Sequence, residues 1–96
     1  MGDQNPDDVY RVSAEAFAIA RRAVGGGDPA PLAEAARAVN ARLDALLPAA
    51  QAAEPADPGV MRAWSDARLD VGWVLSGGQL SPSTRLAAHI AQVRPG

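Results

Sequence analysis

Hydrophobic residues recur along much of the chain at alternating spacings of four and three, the pattern of a helix with one apolar face. The pattern is clearest in three segments, whose apolar positions are Val9, Val12, Ala16, Ile19 and Ala23; Leu32, Ala36, Val39, Leu43 and Leu46; and Leu86, Ile90 and Val93. Alanine, the best helix former, is abundant, and β-branched and aromatic residues are few. We therefore expect an all-α fold.

Four dipeptides mark the expected helix starts, each a residue that favours the N-cap followed by proline. They are Asn5–Pro6, Asp28–Pro29, Asp57–Pro58 and Ser81–Pro82. With glycine runs or Pro48 as the ends, they predict helices at about 6–24, 29–47, 58–76 and 82–93, with a short helical extension after Pro48. Similar lengths and short connections favour an up-down four-helix bundle in one small domain, 1–96.

The third predicted helix differs because it has apolar residues on two faces. Its expected core positions are Val60, Trp64, Ala67, Val71, Val74 and Leu75. Leu69 and Trp73 lie on the other side, at about 100° per residue. Either the chain itself covers both faces, or Leu69 and Trp73 form an exposed patch. In the second case the patch has the composition of an interface centre, and its partner-binding residues are Leu69, Trp73, Arg62, Asp66 and Asp70.

The composition limits the binding partners and the cellular location that we expect. The 96 residues carry a formal charge of −2, which gives no electrostatic reason to expect nucleic acid. There is no cysteine, and the acidic start "MGDQNPDD" does not have the pattern of a signal peptide. We expect a cytoplasmic protein that does not enter a membrane. All nine basic residues are arginine, and with the abundant alanine this suggests a high-GC bacterial genome.

Residues with catalytic chemistry are few, and each has a simpler explanation. His89 is the only histidine, so a typical zinc site has no second ligand. Asp66 and Asp70 lie one turn apart, but Arg62 offers Asp66 an ion pair. Ser81, Ser83 and Thr84 stand at a helix start, where capping explains them. We therefore predict no enzyme activity, no cofactor and no metal.

Two family resemblances arise from the sequence. The stretch "SGGQLSPSTRLAAHI" resembles the turn and second helix of a helix-turn-helix, which implies that Arg85, Gln92 and Arg94 contact DNA. It departs from that pattern at Arg85, where the family buries a residue, and at Val74 or Leu75, where the family has a small one. Length and acidity are similar to those of the WXG100 family, but the Trp-x-Gly turn motif of that family is missing.

The favoured function is a non-catalytic protein–protein interaction module, a homodimer or an accessory subunit of a larger complex, that docks through the outer face of the third helix. One alternative is a bundle that binds a small molecule among Trp64, Phe17, Met61 and His89. The other is the helix-turn-helix-like DNA-binding protein.

Overall fold

The computed structural model describes residues 5–54 and 56–94 of the chain. This part contains no β-strand and has four α-helices, which are α1 (Pro6–Val24), α2 (Pro29–Ala53), α3 (Pro58–Leu75) and α4 (Thr84–Val93). The all-α prediction is confirmed. None of these helices combines the length and the hydrophobicity that crossing a membrane requires.

The first two helix starts follow the predicted chemistry. Asn5 caps α1 by accepting hydrogen bonds from the backbone N–H groups of Asp7 and Asp8, and the Asp8 carboxylate accepts from the N–H of Asn5 in return. This reciprocal pair satisfies donors that have no partner inside the helix. Asp28 caps α2 by accepting from the N–H of Ala30.

The other two starts differ from the prediction in their caps. Asp57 precedes α3, but its carboxylate makes no capping hydrogen bond and accepts one from the Tyr10 hydroxyl instead. The fourth helix was predicted to begin at Pro82 with Ser81 as its N-cap, and this was wrong. The helix begins at Thr84, and Ser83 caps it by accepting from the N–H of Leu86 at 3.2 Å.

The second helix continues past its predicted end. Pro48 lies inside α2, which runs on to Ala53, so the expected extension is confirmed. Proline has no N–H to donate to the carbonyl of Asp44, four residues earlier. Because Pro48 is exposed, water can hydrate the carbonyl left without that bond. The apolar face that ends in Leu46 and Ala50 stays buried across the proline.

The main core lies among α1, α2 and α3, which contact one another. Short connections make α2 antiparallel to both neighbours, so α1 and α3 run in the same direction. The buried residues of this core are Val9, Val12, Ala16, Ile19, Leu32, Ala36, Val39, Leu43, Leu46, Ala50, Val60, Ala67 and Val71. Nearly all of the predicted apolar positions of α1 and α2 belong to it.

A second, smaller cluster holds α4 in place. Leu86 is fully buried against Ala20 and Val24 of α1, and Phe17, Trp73, Val74 and Ile90 pack around them. In the described residues α4 contacts α1 and α3 but not α2. The short fourth helix therefore covers the groove between α1 and α3.

Two predicted core residues are exposed. Val93 is 50% exposed because it stands in the last turn of α4, beyond the cluster around Leu86. Leu75 is 39% exposed at the end of α3. It lies about 40° further round the helix than Val71, which carries it past the contact with the other helices.

Candidate docking surface on the third helix

The outer side of α3 carries two exposed leucines. Leu69 is 44% exposed, and Leu80, in the connection to α4, is 60% exposed. Leu80 Cδ1 is 3.6 Å from the position that a Cβ would take on Gly72. Gly72 lies one turn after Leu69, so Leu80 packs onto α3 about one turn away from Leu69. We call Arg62, Asp66, Leu69, Gly72 and Leu80 the α3 outer face.

Charged groups lie at one end of the α3 outer face. Arg62 is exposed and Asp66 is half-buried, one turn apart on the helix. Sequence reasoning offered an ion pair between them. The ion pairs among the described residues do not include it. Both charges are therefore left for solvent or for a partner.

Asp70 does not belong to this face, and its prediction as part of an exposed charged rim was wrong. Its side chain is fully buried. It accepts a hydrogen bond of 2.5 Å from the Ser83 hydroxyl and one of 3.0 Å from Arg85 Nε. A carboxylate that is buried must be paired or hydrogen-bonded, and here α4 supplies both partners.

The guanidinium of Arg85 links three helices around Asp70. Its Nη2 donates to the backbone carbonyl of Ser13 in α1 at 2.9 Å, and its Cζ atom lies 4.8 Å from the ring centre of Phe17. Burial raises the pKa of the Asp70 carboxyl above its ordinary value of 3.8, while Ser83 and Arg85 oppose this rise. Asp70 therefore holds α4 through Ser83 and Arg85, although the burial of its carboxylate costs desolvation free energy.

Trp73 is half-buried, so the predicted docking anchor is largely sheltered by its own chain. Its indole packs among the residues of the smaller core cluster, between α1 and Ile90 of α4. On its other side lies Gly78, where a Cβ would be 3.8 Å from the ring. Gly78 has a φ of +87°, a conformation that glycine adopts without strain. The alternative in which the chain covers both faces of α3 therefore describes Trp73 better, while Leu69 stays open.

The four residues of the predicted ligand site do not come together. Trp64 donates through Nε1 to the backbone carbonyl of Leu43 at 2.7 Å and belongs, with Met61, to the main core. Phe17 packs in the smaller cluster, where its ring meets that of His89 edge to face at 6.2 Å. The two pairs thus serve two separate cores.

The predicted DNA-contact residues are also dispersed. Arg85 is held by Asp70 and Ser13, and Arg94 donates to the carbonyl of Val24 at 2.9 Å. Only Gln92 is exposed without such a contact among the described residues. Eight residues, 76–83, connect α3 to α4, whereas a helix-turn-helix has a turn of three or four. The resemblance to a helix-turn-helix in sequence is therefore not matched by the connection between α3 and α4.

Sequence reasoning missed two groups. Leu80 lies between the third and fourth predicted helices, and only tertiary packing brings it against Gly72 of α3. The burial of Asp70 could have been predicted from the sequence. Ala67 precedes it by three residues and Val74 follows it by four, and this helical spacing places Asp70 at the edge of the core face.

Comparisons with models of protein families, with curated proteins and with solved structures find no match to this chain.

Proposed function

We propose that this chain is a non-catalytic interaction module that self-associates through the α3 outer face. The observation that carries the proposal is the pair of exposed leucines, Leu69 on α3 and Leu80, which packs onto α3 about one turn away. Apolar side chains that lie together on a surface with charged residues at its edge are typical of interface centres. Trp73, which packs in the smaller core cluster, is no longer the anchor of this face.

A second copy of the chain is the partner that the charges favour. Arg62 and Asp66 have opposite charges on one face and do not pair with each other. When two α3 helices pack antiparallel about a two-fold axis near Ser65, Arg62 of each reaches toward Asp66 of the other. A two-fold interface uses the same patch twice, so the patch must be self-complementary in this way.

The area of the α3 outer face limits the affinity that we expect for the dimer. A stable interface buries about 800 Å² on each partner, about a seventh of the chain's 5602 Å² of accessible surface. A single helix of 18 residues spans only about 27 Å. We therefore expect a dimer that depends on concentration in the micromolar range, weaker than an obligate one.

The test is molar mass by light scattering over a concentration series. The wild type should rise from 9.9 kDa toward twice that mass. Leu69→Asp should stay monomeric at every concentration, because it places a charge in the apolar part of the interface, where the association would have to desolvate it. Leu75→Asp is the matched control, since Leu75 is similarly exposed but lies about 120° round the same helix from Leu69, and it should dimerise like the wild type.

A wild type that remains at 9.9 kDa at the highest concentration overturns self-association. Equal loss of the dimer in both variants overturns the assignment to the α3 outer face. The absence of enzyme activity and a cytoplasmic location both stay predictions.

A further inference from the structure

A pocket of about 560 Å³ lies at the end of the molecule where α1, α3 and α4 finish and α2 begins. Its apolar walls are formed by Ala23, Leu32, Val74 and Ile90, with the Trp73 indole on one side. Small-molecule sites in proteins have volumes of about 300–1,000 Å³ and apolar walls with a few polar groups. This pocket has those dimensions, and none of the four residues of the predicted ligand site lines it.

Two hydrogen-bond donors face the pocket. Arg94 is the only charged side chain among the described residues that line it. One of its terminal nitrogens, Nη2, donates to the carbonyl of Val24. That contact fixes the guanidinium and leaves its other N–H groups for a ligand.

The second donor is the indole N–H of Trp73. It has no acceptor in the part of the chain that the structure describes, and it is not buried. The other tryptophan, Trp64, is different, because its N–H is already used by the Leu43 carbonyl.

We propose that this pocket binds a small carboxylic acid with an aromatic or branched apolar body. The carboxylate would accept from Arg94 and from the Trp73 N–H, and the body would lie against the apolar walls. A positive group above apolar walls, with no acidic side chain among the lining residues described, complements that class of ligand. The site is separate from self-association, because Leu69 and Leu80 do not line the pocket.

The experiment follows the two indole N–H signals by NMR during titration, with Trp73→Phe to assign them. The probes are indole-3-acetate, neutral indole and acetate. Indole-3-acetate should shift the Trp73 signal and leave the Trp64 signal in place. It should bind about tenfold more tightly than neutral indole, since a charge-assisted hydrogen bond contributes about that factor, and more tightly than acetate, which has no apolar body to bury.

Variants locate the site. Arg94→Gln should weaken indole-3-acetate about tenfold and leave neutral indole unchanged, and Ala23→Leu should weaken both by filling the pocket. Arg37→Gln, an exposed arginine on α2, is the matched control and should bind like the wild type. The titration is repeated in Leu69→Asp, so that loss of the dimer and loss of the ligand are seen separately.

Three results would overturn the proposal. Equal binding of acetate and indole-3-acetate would show an anion contact without a pocket. Equal binding of neutral indole would show that no carboxylate is recognised. A Trp73 signal that does not move with any probe would show that the pocket takes no ligand of this class.

Discussion

Ser83 joins two roles in one hydroxyl, because it caps α4 and donates to the buried Asp70 carboxylate. Ser83→Ala should lower the free energy of unfolding by about 2–3 kcal/mol, the sum of a lost cap and a buried acceptor left without its donor. Urea denaturation measures this. Ser81→Ala is the matched control, since Ser81 is exposed and does not cap the helix, and it should change stability by less than about 0.5 kcal/mol. Similar losses in both variants would contradict the structural assignment of the cap.

Arg85 is the charged partner of Asp70. Removing it should lower the free energy of unfolding, because the buried carboxylate again loses a partner. Arg85→Met keeps most of the apolar stem over Phe17 but leaves the carboxylate buried without a cation. We expect a loss of about 3 kcal/mol. The double variant Asp70→Asn with Arg85→Met should recover part of that loss, because the buried charge is gone. Urea denaturation of the four proteins gives the coupling free energy, and additive losses would show that the two groups act independently.

Two of the three prolines in α2, Pro29 and Pro48, have positions that predict opposite effects. Pro48 is inside the helix, where proline is about 3 kcal/mol less favourable than alanine. Pro48→Ala should stabilise the protein by about 1–2 kcal/mol, since the unfolded chain gains entropy and offsets part of the difference. Pro29 is the first residue of the same helix, where proline fits, so Pro29→Ala should be neutral or slightly destabilising. Thermal unfolding compares the two variants. Equal shifts of their melting temperatures would contradict the explanation from the position of each proline in the helix.

The helices could be predicted from the sequence to differing degrees. The bounds of α1 were predicted correctly, because the capping chemistry of Asn5 and the glycines after Val24 are both local. The start of α4 was misplaced by two residues, since both Ser81 and Ser83 have a capping side chain. What selects Ser83 is Asp70, thirteen residues away, and no local pattern contains that contact.

The candidate site was predicted less well than the helices that form it. Periodicity correctly put Leu69 on the outer side of α3. It could not show that α4 would lie over Trp73, because the direction in which a short helix packs is decided by tertiary contacts such as Leu86 against Ala20. Both the burial of Asp70 and the Trp73 pocket follow from that one placement.

At the scale of the whole molecule, the buried carboxyl of Asp70 links folding to pH. Burial raises its folded pKa above the ordinary 3.8, so between these two values the folded state holds more protons than the unfolded state. Stability contributed by this group is therefore fully present below about pH 3.8 and is lost as the pH rises through the folded pKa.

Urea denaturation of the wild type and of Asp70→Asn over pH 3.5 to 8 isolates this contribution, because asparagine does not titrate. The stability of the wild type relative to Asp70→Asn should fall as the pH rises and become level above the folded pKa. Val71→Ala is the control, since it weakens the core without removing an ionisable group, and its difference from the wild type should not change with pH. A relative stability that rises with pH would mean that Arg85 and Ser83 outweigh desolvation, and α4 would then be held by a carboxylate that is favourable in its charged form.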